Sequence, residues 1–183
     1  MKLNPEKCTF GVTSGKFLGF LITQRGIEVN PEKIEAINNM PSPKNLKEVQ
    51  ILAGRVVALS RFVSKLGDRC LPFFKVLRKV NCEEFQWTEQ CEEAFLNLKA
   101  YLSNPPILSR PREGEELMLY LSTTQGAVSS VLVRTEEGKH LPIYYASKVL
   151  NGPETRYRDI EKLVLALVMT VRKLRPYFQS HTV

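Results

Sequence analysis

Long apolar runs are scarce in this 183-residue chain, and none approaches the ~18–20 residues of a membrane span. The opening MKLNPEKCTF has no apolar stretch of the kind a secretory leader carries. There are two histidines, and the four cysteines (Cys8, Cys70, Cys82 and Cys91) form no CxxC pair. That pattern argues against a zinc cluster or a disulfide framework and for free thiols in a reducing compartment. Aspartate is scarce as well: Asp68 is the sole one between residues 1 and 80. A first half so poor in aspartate offers no paired carboxylates for hard metal ions.

What the first half does hold is positive charge. Residues 1–80 carry 14 Lys/Arg against 6 Asp/Glu, whereas residues 81–183 carry 12 against 13, for a net +7 over the chain. A field concentrated in one half suits a surface that faces phosphates, and it also suits a basic face kept for solubility.

The stretch FGVTSGKFLGFLITQRGIEVN alternates as short strands, with Gly15 and Gly26 at turns that call for positive φ. A short helix is expected from Asn30 as N-cap with Pro31 at its first position. A second begins at Asn45, with Glu48 three residues on as a capping-box partner. Val49, Leu52, Ala53, Val56, Val57, Ser60 and Val63 recur on its apolar face, and Lys44, Lys47, Gln50, Gly54, Arg55 and Arg61 on the other. Thr88 opens a third helix with Cys91, Ala94, Phe95, Leu98, Tyr101 and Leu102 as its stripe, stopped by Asn104-Pro105-Pro106. SRPREGEE reads as a polar linker. Beyond it lie three strands, near 116–122, 127–134 and 141–146, the last two joined by a tight EEGK turn. A long helix follows, with Ile160, Leu163, Val164, Leu167, Val168, Val171 and Leu174 as its expected buried face.

Three blocks in this order resemble the polymerase polyprotein of gypsy-type LTR retrotransposons, plant-like in the last segment, over essentially the whole chain. LNPEKCTFGVTSGKFLGFLITQRGIEVNPEKIEAI is similar to the end of a reverse transcriptase palm. MPSPKNLKEVQILAGRVVALSRFVSKLGDRCLPFFKVLRK resembles its thumb, and FQWTEQCEEAFLNLKAYLSNPPILSRP the connection into a ribonuclease H region. The resemblance implies an α+β chain: the C-terminal palm hairpin at residues 1–40, a helical thumb at 41–80 and a connection at 81–112. Residues 113–183 would form a truncated, degenerate RNase H-like mixed α/β sheet with a long helix. Met1 is then expected to be an internal methionine of a longer polyprotein, in a fragment or a truncated gene model.

The family's polymerase carboxylates lie in a Tyr-x-Asp-Asp hairpin and an earlier strand, both upstream of these blocks. In its active ribonuclease H the first strand ends in Thr-Asp-Ala-Ser and the helix reads Glu-Lys-Glu-Leu-Leu-Ala-Ile-Val. The resemblance puts Ser122 at that aspartate and, in EKLVLALV, Leu163 at the second glutamate. Glu161 lies about 200° round the helix from Leu163 and does not replace it. No catalytic residue and no cofactor is therefore expected of this chain, with Mg²⁺ belonging to the full-length parent polymerase.

What the resemblance leaves is grip. Phe17, Leu18 and Gly19 fall at the hairpin that holds the primer end. Gln50, Gly54 and Arg55 match the pattern by which the family's thumb helix follows the minor groove, and Lys47 and Arg61, with Lys44, are further phosphate candidates. For Gly54 the competing reading is a close helix–helix contact. The expected partners are an RNA–DNA hybrid or DNA duplex and the rest of the polyprotein, with no membrane. The expected location is a cytoplasmic virus-like particle, extending to the nucleus. Two alternatives stay open: an active ribonuclease H using Glu115 or Glu116 with Glu161, and a host-retained interaction module.

Overall fold

The computed structural model describes residues 4, 8, 10–17, 19–78 and 85–183. Two three-stranded antiparallel sheets alternate with helices. The first is a meander of β1 (Gly15–Phe17), β2 (Phe20–Thr23) and β3 (Gly26–Val29). Gly15 sits inside β1, and within the meander it is Gly19 (+79°) in the β1–β2 turn and Gly26 (+145°) at the start of β3 that take positive φ. At Gly26 a side chain would also run into the Leu108 carbonyl. That close approach lets Ile27 and Leu108 exchange backbone hydrogen bonds at 2.8 and 2.9 Å, pinning the end of the connection to the hairpin.

Helix α1 (Pro31–Asn38) starts where Asn30 Oδ1 accepts from the Glu32 N–H. Helix α2 (Leu46–Ala58) has half of the expected capping box: Asn45 Oδ1 accepts from Glu48 N at 3.0 Å, while Glu48 accepts from the Asn45 side-chain amide and from the Lys44 N–H, one residue before the N-cap. Two short helices follow, α3 (Leu66–Arg69) and α4 (Leu71–Arg78), where the sequence pattern singles out no element. Helix α5 (Glu89–Leu102) is capped by Thr88. Val49, Leu52 and Val56 of α2 pack with Ile37, Phe62, Phe73, Phe95, Leu98 and Leu108 in one core. Val57, expected among the buried residues of α2, is 53% exposed, because the helix buries a narrower stripe than its apolar residues cover.

The second sheet is β4 (Leu117–Thr123), β5 (Ala127–Glu136) and β6 (Lys139–Val149). Its strands run past the expected ends, and the β5–β6 turn has Glu137 and Gly138 both at positive φ, as a type I′ hairpin requires. The expected polar linker is tied down: Ser109 N donates to Pro142 O at 2.7 Å, and Arg112 pairs with Glu136. Helix α6 (Asp159–Lys173) crosses the sheet and α7 (Arg175–Ser180) ends it.

The face of α6 is the largest correction. Lys162, Ala166 and Thr170, four residues apart, are the buried positions of the helix, leading to Leu174 just past its end, which is buried as expected; Leu163 and Val171 are half-buried, and Ile160, Val164, Leu167 and Val168 are exposed. Thr170 selects this face: its Oγ1 lies 2.6 Å from the buried Ser130 Oγ on β5 and donates to Ala166 O. Ala166 then fits against Val128 and Leu150. An apolar residue is free to remain outside, whereas a buried hydroxyl on the sheet needs its partner.

Candidate nucleic-acid interface

Helix α2 turns Lys47, Gln50, Ile51, Gly54, Arg55 and Ala58 to solvent. Gly54 lies mid-helix, where glycine costs about 1 kcal/mol against alanine, and a Cβ added there would meet nothing within 4 Å. Among the described residues no neighbouring helix lies against it, so close packing within them does not account for the glycine. The surface around Gly54 is open backbone flanked by an amide and a cation. Arg55 Nη1 donates to Ala36 O at 2.5 Å, so one of its five donors holds the end of α1 and the others stay outward.

Phe17 stands 61% exposed at the β1–β2 turn, and Leu18 is outside the described residues. Lys33 Nζ occupies the space beside Gly19 and lies 5.4 Å from the Phe20 ring centroid. Arg61 is placed differently from the expected phosphate contact. Its guanidinium packs on the Tyr144 and Phe20 rings, and Nη2 donates to Tyr177 Oη at 3.2 Å. Its carbonyl accepts from Tyr145 N, so the residue clasps α2's end to β6 and α7. Nothing in the sequence pattern distinguishes this arginine from its exposed neighbours.

The positions where the family's nuclease carboxylates would fall do not face one another. Ser122 pairs across the sheet with Ser129, and Ser129 with Ser147. Directly opposed residues share a face, and Ser147 Oγ accepts from Gly67 N of α3 at 2.8 Å. Ser122 therefore lies on the α3 side and Leu163 on the helix covering the other side. A hydroxyl and an isobutyl group do not form the oxygen donor set that Mg²⁺ requires. Among the described residues, no three His, Cys, Asp or Glu side chains group as metal ligands.

The alternative carboxylates are held elsewhere. Glu115 accepts from Arg134 Nε at 2.9 and 3.1 Å and from Arg112 N, and Glu161 accepts from Arg158 N at 2.8 Å as the cap of α6. They sit at opposite ends of the sheet: Leu117, beside Glu115, packs with Leu174 at the far end of α6 from Glu161. Burial acts to raise the Glu115 carboxyl, but the Arg134 and Arg112 donors outweigh it and hold it below the ordinary range.

The helix α2, with its exposed Lys47, Gln50, Gly54 and Arg55, thus precedes a three-stranded antiparallel meander crossed by the long helix α6. Residues 87–183 match the family described as the RNase H-like domain found in reverse transcriptase. The chain belongs to that family. It is 29% identical over 97% of its length to the Pol polyprotein of transposon 412 and 33% identical to that of transposon 297, both from Drosophila melanogaster. It is 27% identical to the transposon Tf2-3 polyprotein of Schizosaccharomyces pombe. It spans 14%, 16% and 13% of those relatives' lengths. Among solved structures, a foamy viral protease-reverse transcriptase in complex with RNA/DNA hybrid superposes with a TM-score of 0.74 at 24% identity, over 88% of this chain and 22% of that one. A second foamy viral complex, with double-stranded DNA, gives 0.73 at 24% identity over 88% of this chain and 34% of its own. Among the described residues no helix is long and apolar enough to cross a membrane.

Proposed function

We propose that this chain serves as the thumb and RNase H-like tether of a retroelement reverse transcriptase. Residues 1–40 would supply the palm's last hairpin, 41–80 the thumb, 81–112 the connection and 113–183 the tether. The exposed face of α2 grips the template–primer duplex along its minor groove, Gly54 letting the sugars approach the backbone while Gln50 and Arg55 bond to groove edges and phosphate. Lys47 and Lys44 add charge, and Phe17 with Gly19 supports the primer end from the hairpin. The tether performs no nuclease step, since neither Ser122 nor Leu163 offers a ligand for Mg²⁺, and the parent polymerase's own carboxylates would carry the metal. The partners are an RNA–DNA hybrid or DNA duplex and the remaining polyprotein, in the cytoplasmic particle where such polyproteins would act.

The observation that carries this reading is Gly54, a mid-helix glycine with open space where its side chain would be. The test is binding of the chain to an RNA–DNA hybrid across a salt series with Mg²⁺ present and the strands checked for cleavage. Salt-sensitive binding with intact strands supports the reading. Cleavage would show an enzyme, and binding indifferent to salt would remove the phosphate grip.

A further inference from the structure

Helix α6 keeps an apolar stripe on the side turned away from its sheet. Ile160 is 66% exposed and Val164 53%, with Leu167 and Val168 at 40% each. At about 100° per residue, these four and the half-buried Val171 fall within an arc of about 100°. The arc is centred about 150° round the axis from the buried Lys162, Ala166 and Thr170. It runs along a helix of 15 residues, about 22 Å in length. Contiguous apolar surface of this kind marks a place where something packs.

The charges beside the stripe select its occupant. Glu161 and Arg172 flank the same edge of the arc, one at each end of the helix, and both are exposed. Glu161 accepts from Arg158 N as the cap and keeps its negative charge there. A stripe with an acid at one end of an edge and a base at the other is complementary to its own reverse. An antiparallel pairing centred on position 166 sets Val164 against Val168 of a second copy. The same register brings Glu161 within one residue of Arg172, and the twofold axis makes each contact twice. A parallel pairing sets Glu161 level with Glu161 and Arg172 level with Arg172, and gains no such pair.

We infer that this face of α6 is a self-association surface, on which two copies of the chain pair through antiparallel α6 helices. The pairing uses a different helix from the grip proposed for α2 and does not depend on it. One helix face covers on the order of half of the ~800 Å² per partner that a standard interface buries. The pair is therefore weak and concentration-dependent, with a dissociation constant on the order of 10 μM.

The experiment is analytical ultracentrifugation of the full chain between about 1 and 200 μM, a range that brackets that constant. The mass is expected to rise with concentration from that of one chain toward that of two. Val168→Glu puts a carboxylate in the middle of the stripe and should keep the chain single throughout. Arg172→Glu sets like charges against each other twice and should weaken the pairing about tenfold. Melting curves establish that each variant is folded. Val164→Cys with Val168→Cys tests the direction: on oxidation, position 164 of one copy should link to 168 of the other, read by mass spectrometry of the joined peptides. Links of 164 to 164 overturn the antiparallel arrangement. A chain that stays single at the highest concentration overturns the pairing and leaves the stripe to a partner other than this chain. Association that a folded Val168→Glu variant retains unchanged belongs to another surface and overturns it as well.

Discussion

The Arg61 guanidinium carbon lies 4.9 Å from the centroid of the Tyr144 ring, and the Phe20 ring stands 5.9 Å from the same carbon. One side chain thus joins the first sheet, the end of α2 and the second sheet. Among the described residues its buried Nε has no hydrogen-bond partner, so the aromatic faces do much of the holding. Arg61→Ala is expected to lower stability by roughly 1–3 kcal/mol, from stacking and the lost Tyr177 bond. Arg61→Lys restores little, because an ammonium lacks the flat surface. Denaturant unfolding followed by separate probes in the two units reads this. One unchanged transition would show that the seam does not depend on Arg61.

A second prediction concerns acid. Arg134, its side chain 5% exposed, is paired with Glu115 at 2.9 Å and Glu136 at 3.0 Å. Burial opposes ionisation of both carboxyls, and the arginine contacts prevail, leaving both below their usual range. Their contribution to stability is therefore present above the unfolded value of about 4.3 and is lost as pH falls through the lowered folded value. Melting temperature should be level near neutrality and fall in acid. Glu115→Gln should be less stable at pH 7 and show a shallower acid decline. A variant that parallels the unaltered protein at every pH would remove this pair from the account.

The helix starts were legible in the sequence because capping is local. Asn30, Asn45 and Thr88 each announce a helix within three residues, and each is found accepting the expected backbone N–H. Strand order was legible for the same reason, since EEGK specifies its turn. The buried side of α6 was not, because apolar spacing offers two faces and the choice between them belongs to Ser130, forty residues away. The setting of Arg61 was hidden for the same cause: its partners are Tyr144 and Tyr177, and nothing in or just after α2 points to them. Glu161 shows the converse, a carboxylate that enters as a nuclease candidate only if the motif alignment is displaced, and that the fold uses as a cap.

Helix α6 gives a paired prediction. Val164→Lys with Leu167→Glu alters side chains 53% and 40% exposed. Stability should stay within about 0.5 kcal/mol, and self-association should decrease because an apolar stripe is removed. Thr170→Val, nearly the same volume, should cost roughly 1–3 kcal/mol by stranding the Ser130 hydroxyl. Chemical denaturation of both variants tests the assigned face. If the outward pair is the more damaging, α6 packs the other way round.

Cys70 offers a chemical readout of the first core. It is 1% exposed, and burial pushes its thiol up to about 12, so the reactive thiolate is scarce at neutral pH. Alkylation followed by mass spectrometry should leave Cys70 unmodified in the native protein while it is modified freely in denaturant. Native labelling at a rate near that of a model thiol would mean that the core around Phe73 and Leu66 opens readily.

Gly54 supplies the sharpest separation between folding and function. Gly54→Ala adds a methyl into open space and removes the helix penalty, so the fold should gain about 0.5–1 kcal/mol. The same methyl stands where a sugar–phosphate backbone would touch α2, so affinity for an RNA–DNA hybrid should fall. A purely structural glycine predicts a different pair of signs, with stability lost and binding following it. Thermal unfolding and anisotropy on one preparation therefore decide the matter. Higher stability with weaker binding keeps the glycine as a feature of the interface, and higher stability with unchanged binding places the duplex somewhere other than on α2.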